Sequence, residues 1–152
     1  MTSYVFIKWL HVLAAITALG ANLTYGVWLS LASRDQRSLA FALRGIRFLD
    51  SRIANPAYGL LLITGFLMVY VGGLPLSTPW ILVALVLYVI TFLVGILAFG
   101  PALRRQVTFA ENPGPSAPEY QQAARQGLLF GILTIVLVVA IVFLMVVKPP
   151  LW

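Results

Sequence analysis

The chain has 152 residues, 61% of them hydrophobic and 9% charged, with a mean hydropathy of +0.99. A soluble domain carries about a quarter charged residues, so this composition excludes a water-soluble globule and leaves an integral membrane protein. Ten Lys and Arg against four Asp and Glu leave a net charge of +6, and the absence of cysteine removes disulfides and thiolate metal sites.

Residues 5–32 form the first predicted helix, long enough to span a bilayer with tilt. The N-terminus has no basic leader and no small-residue cleavage site, so this run is expected to stay as a membrane anchor. Tyr4, Lys8 and Trp9 mark an interface at its start. At 100° per residue, His11, Ala14, Ala15, Ala18, Asn22 and Tyr25 share one stripe. Ala14, Ala18, Asn22 and Gly26 make a small-xxx-small ladder for close helix packing. Lipid offers an imidazole or a carboxamide no partner, so His11 and Asn22 are expected to face inward. They are separated by about 16 Å along the axis and should serve different neighbours.

Residues 33–54 are a basic connection with Arg34, Arg37, Arg44, Arg47 and Arg52 against Asp35 and Asp50. Leu39, Ala42, Leu43, Ile46, Leu49 and Ile53 recur at three- and four-residue steps. That periodicity predicts an amphipathic helix, lying at the headgroups or continuing into the second span. The second span covers about 55–72, with Pro56 at its start and Thr64, Gly59 and Gly65 as packing positions. An uncharged turn follows, with Gly72, Gly73 and Pro75.

The third span is predicted at about 79–99, with Thr78 as N-cap, Pro79 in the first turn and Trp80 as anchor. Tyr88, Thr91 and Gly95 fall together and should face the bundle, and Gly100 with Pro101 is expected to break or bend the helix. A second polar connection, about 109–126, contains Pro113, Gly114, Pro115 and Pro118. The fourth span, about 125–147, is the most uniformly apolar and the one expected to face lipid most broadly.

The two longer connections hold Arg34, Arg37, Arg44, Arg47, Arg52, Arg104, Arg105 and Arg125, and the opposite side holds only Lys8 and Lys148. This positive-inside bias predicts cytoplasmic connections and both termini outside. It also accounts for the arginines without nucleic acid, since no base-stacking motif accompanies them.

The stretch Lys8-Trp9-Leu10-His11-Val12-Leu13-Ala14-Ala15, followed by Gly20, resembles small four-helix bacterial membrane proteins of the DUF2269 type, to which no function is assigned. The segment from Arg47 to Pro56 and the Thr64-Gly65 pair resemble the same family. A more distant similarity is to the copper-resistance CopD domain and the membrane-bound protoporphyrinogen oxidase HemJ, which begin with a helix carrying a Trp-x-x-His-like motif. The oxidase resemblance implies haem ligation by the first-helix histidine and a lysine in the third helix. Here His11 matches, while residues 79–99 contain neither lysine nor histidine.

No catalytic residues are expected. Cysteine is absent, all four acidic residues sit in the connections, and no phosphate-cradling loop is present. His11 has three readings. It is a packing histidine, a ligand to haem b with Met68, or a Cu(I) ligand with Met68 and Met145, which antiparallel packing would set at similar depth. Tyr25, Tyr58, Tyr70 and Tyr88 are read as interface and packing residues, or as the lining of a cavity for a quinone, carotenoid or lipid.

The sequence therefore predicts an all-α protein, a single domain over residues 1–152, folded as an antiparallel four-helix membrane bundle. Its expected place is a bacterial cytoplasmic membrane, its amphipathic segment on the cytoplasmic side. Its partners would be membrane lipids and a second copy or other membrane subunits. Three functions stay open: an accessory protein acting through helix packing at Ala14, Ala18, Asn22, Gly26 and Gly65; a haem or copper protein; and a small-molecule or lipid transporter.

Overall fold

The computed structural model describes residues 2–32 and 36–151. Arg34, Asp35 and Trp152 lie outside the described residues, as does the Arg37 side chain. The described residues form helices joined by short turns, without a strand, and four helical rods are long and apolar enough to cross a membrane.

α1 is Thr2–Ala32. α2 is Gln36–Leu49, and a π-helical turn, Asp50–Ala54, carries it without a break into α3, Asn55–Gly72. α4 is Pro79–Val94; a second π-turn, Gly95–Phe99, joins it to α5, Gly100–Glu111. α6 is Pro118–Val147. The rods of about 30 residues are about 45 Å long, longer than the hydrocarbon layer of about 30 Å is thick.

Two boundaries differ from the sequence expectation. The third rod runs through Gly100-Pro101 to Glu111, and the fourth begins at Pro118 rather than near 125, so the second connection shrinks to residues 112–117. The prolines explain the first difference. Pro56 and Pro101 each stand two residues after a π-turn, and the residue before each proline bonds back five residues, Asn55 N–H to Asp50 O and Gly100 N–H to Gly95 O. In a regular helix the proline ring collides with the carbonyl four residues back. A widened turn makes room for the ring, so the helix bends its hydrogen-bond ladder instead of ending. Pro118, by contrast, starts α6 in the first turn, where a missing N–H is harmless.

α3 ends at Gly73, whose φ of 63° needs glycine, with the Leu74 N–H returning to Val69 O at 3.2 Å. Thr78 occupies the N-cap position of α4, but its hydroxyl donates to Pro75 O at 2.7 Å and caps nothing.

The rods pair antiparallel. α1 packs on α3, matching Tyr4 with Gly72, His11 with Thr64 and Asn22 with Tyr58. The α4–α5 rod packs on α6, with Lys148 over the Trp80 ring at 5.3 Å, Phe99 against Gly131 and Gln106 against Gly127. The two pairs join firmly at the arginine-rich end. There Tyr25 and Ala32, Leu39, Ala42, Leu43 and Ile46, Leu103 and Val107, and Tyr120 form one buried apolar cluster. Between the pairs, farther along the rods, lies a cleft.

Candidate functional site

The cleft holds a cavity of about 170 Å³. α1 supplies Asn22, Tyr25, Gly26 and Leu29. The first π-turn and the start of α3 supply Asp50, Asn55 and Tyr58. α4 and the second π-turn supply Tyr88, Thr91, Phe92, Gly95, Ile96 and Phe99, and α6 supplies residues from Gly127 to Ile135. Both π-turns thus border it. The exposed positions Gly26, Leu128 and Ile132 are part of its wall, so it meets the apolar perimeter between α1 and α6.

Its inner end is tied by a hydrogen-bonded relay across three helices. The Asn22 Nδ2 donates to the Tyr58 hydroxyl, and the Tyr88 hydroxyl donates to the Tyr58 backbone carbonyl at 2.8 Å. Among the described residues the backbones of α3 and α4 do not pack together, and the Tyr88 side chain spans the gap. Thr91 and Thr134 return their hydroxyls to the carbonyls of Leu87 and Phe130, at 2.7 and 2.8 Å. That satisfies them inside their own helices and leaves their methyl groups for packing. The rings pair along the walls: Tyr25 stacks on Phe99 at 6.2 Å, and Tyr88 on Phe92 at 6.5 Å.

Two groups on the wall are poorly matched. The Tyr25 hydroxyl is buried with no hydrogen-bond partner among the described residues, on a residue only 6% exposed. An unmade hydrogen bond of this kind costs about 1–3 kcal/mol. The half-buried Asp50 stands at the end of the cavity nearer the arginines, with Asn55 Nδ2 at 3.4 Å as its hydrogen-bond partner. It makes no ion pair among the described residues; the pair there joins Arg44 to Glu111 at 2.7 Å on the surface.

Asp50 and Asn55 are the residues that sequence reasoning missed, because all four acids read as part of the solvated connections. The signal was present. Periodicity places Leu39, Ala42, Leu43 and Ile46 inside, and all four are buried, but Ile53 is 37% exposed and Ala54 is buried instead. The π-turn adds a residue to the turn and rotates everything after it, so the apolar stripe ends where Asp50 begins. Pro56 was the mark of that irregularity.

The expected tyrosines divide. Tyr25, Tyr58 and Tyr88 all line the cavity, whereas Tyr70 is 85% exposed at the other end of α3. The expected packing ladder also divides. Ala14 and Ala18 are buried against α3, and Asn22 makes its bond to Tyr58. Gly65 lies under the His11 ring, with a Cβ there meeting Cε1 at 3.4 Å. Gly26 does not pack: a Cβ there would meet nothing within 4 Å, because at that level α1 borders the cavity.

His11 lies outside that lining, between α1 and α3, eleven residues before Asn22 on α1. Its Nδ1 is 2.8 Å from Thr64 Oγ1, which itself donates to Leu60 O at 2.7 Å. With the Thr64 hydroxyl donating to Leu60 O, the geometry fits the tautomer in which Nδ1 donates to Thr64 Oγ1 and Nε2 keeps the lone pair. Met68 is half-buried one turn outward of Thr64 on α3, and Met145 is half-buried near the end of α6. No group of three His, Asp or Glu side chains that would hold a metal occurs among the described residues.

A family model described as a predicted integral membrane protein, DUF2269, matches residues 5–149. The chain belongs to the DUF2269 family. Four apolar rods and the absence of strands among the described residues agree with that description. Neither a curated protein nor a solved structure matches the chain. The distant similarity of this DUF2269 chain to CopD and HemJ types therefore gains no support.

Proposed function

We propose that this membrane protein binds a small lipid-soluble molecule in the cleft between its two helix pairs, as a carrier or a binding subunit rather than an enzyme. The observation behind it is the Tyr25 hydroxyl, buried without a partner among the described residues in the wall of a cavity that meets the apolar perimeter. A buried hydroxyl without a partner is costly, so a ligand bearing a polar atom gains a hydrogen bond that the described residues do not supply. A cavity of about 150 Å³ takes a benzene-sized molecule, which sets the scale at one ring or a short branched chain. A porphyrin is too large for it.

The orientation that accompanies this reading puts the arginine-rich end in the cytoplasm, and the termini and the turn at Gly73 outside, in a bacterial cytoplasmic membrane. The arginine distribution supports it. A cysteine at Gly73 should label only from the outside; labelling from the cytoplasm reverses the assignment. Mass spectrometry of small molecules extracted from protein purified in native nanodiscs tests the binding. A stoichiometric compound that is lost in Tyr25→Phe and kept in Tyr70→Phe is expected. An extract identical to that of empty nanodiscs overturns the reading.

A second reading rests on the His11 tautomer. In the tautomer with Nδ1–H held by Thr64, Nε2 carries the lone pair that haem b or Cu(I) would take, and a histidine oriented through its other nitrogen is the usual arrangement at metal sites. An absorption spectrum of the purified protein with His11→Ala alongside decides it: a Soret band lost in the variant supports haem, and two colourless, metal-free proteins leave His11 as a packing residue.

A further inference from the structure

Resting on the cavity reading above, we infer that the ligand is a small organic cation, a protonated amine held between the Asp50 carboxylate and the aromatic walls. The same cavity presents one acid and five aromatic rings, and no basic side chain lines it. Asp50 has no ion pair among the described residues; its one hydrogen bond, to Asn55, is long at 3.4 Å. Arg104 acts on it electrostatically but lies beyond ion-pairing distance and is exposed. A carboxylate bordering an apolar cavity is expensive unless a positive charge accompanies it.

The rings supply the rest. Tyr25 stacks on Phe99 at 6.2 Å and Tyr88 on Phe92 at 6.5 Å, so two stacked ring pairs are part of the cavity lining. Aromatic faces attract cations, most strongly where water is excluded. A neutral quinone would use the Tyr25 hydroxyl equally well, but its carbonyls would face Asp50 with like polarity. An anion would meet the carboxylate directly. The charge on the wall therefore favours a cation over both. The Tyr25 hydroxyl completes the site by accepting from an N–H of a protonated amine.

The test uses two molecules of the same shape, benzylammonium and the uncharged ethylbenzene. Equilibrium dialysis is run on the full chain in zwitterionic nanodiscs, with empty nanodiscs subtracted. Specific binding of the cation, at least about tenfold tighter than its neutral counterpart, is expected. Asp50→Asn should remove most of that preference while leaving the neutral molecule's binding in place. Equal binding of both molecules to the wild-type protein overturns the cation inference and keeps the cavity reading, as does a preference that survives in Asp50→Asn. Binding of neither overturns the cation inference, and the extraction experiment above then judges the cavity by itself. If Asp50→Asn does not fold, the wild-type ratio and its reduction in Tyr88→Leu, which removes one ring, still decide.

Discussion

The two ends of the cleft are built by different physics. At the arginine-rich end, the rods meet through Leu39, Leu43, Ile46, Leu103 and Val107, as in a soluble bundle. Along the rest of their length most buried positions are small or hydroxylated, Ala14, Ala18, Ala57, Thr64, Ala84, Thr91 and Thr134, with Asn22 and the aliphatics Ile81, Val138 and Leu144 among them. Water drives the first kind of packing, because burying branched aliphatic side chains removes apolar surface from it. Lipid does not drive the second, since a leucine there exchanges one hydrocarbon contact for another. Close backbone approach and interhelical hydrogen bonds replace it. Where neither is available, between the α1–α3 and α4–α6 pairs, a cavity persists without the full cost that water-driven packing would place on it.

Substitutions at the two ends should separate these terms. Leu43 is fully buried at 0% exposure, and Leu43→Ala should lower unfolding stability by about 2–5 kcal/mol in a denaturant titration in mild detergent. A loss under about 1 kcal/mol would mean that the arginine-rich end is not a water-driven core. Asn22→Ala removes the α1–α3 tie to Tyr58 and should cost less, about 0.6 to 1.7 kcal/mol. An effect equal to that of Leu43→Ala would erase the distinction. Tyr25→Phe should move the other way in ligand-free protein, raising stability by about 1 kcal/mol, because it deletes a buried hydroxyl with no partner among the described residues. A loss of stability on that change would show that the hydroxyl has a partner after all. The smallest effect belongs to Arg44→Gln. It breaks the 2.7 Å pair with Glu111, but both side chains are about half exposed, so about 0.2–1 kcal/mol is expected, shrinking further in high salt.

His11 and Asn22 show how far local reasoning reaches. Both are polar groups on a helix that must cross lipid, and each faces inward to its own partner, Thr64 and Tyr58. That followed from the rule that lipid leaves no polar group unsatisfied. The identity of the partners did not follow, because it depends on the register between α1 and α3. Asp50 shows the limit. Its neighbours Arg47 and Arg52 mark a solvated connection, and nothing local distinguishes an acid on the surface from one on a cavity wall.

Composition and hydropathy alone determined that the chain is a four-span helical membrane protein, because the lengths and charges of the apolar runs are set by the solvent they must match. They also determined the amphipathic face up to Ile46 and the inward direction of the intramembrane polar residues. Only the tertiary structure decided that the rods run unbroken through Pro56 and Pro101, since a proline's effect depends on whether the turn before it can widen. It alone brought Tyr25, Tyr58, Tyr88 and Asp50 to one cavity, from three rods. Those residues are separated by up to 63 positions in the sequence (25 to 88), and their meeting is fixed by helix register and a π-turn, neither of which is a property of any one segment.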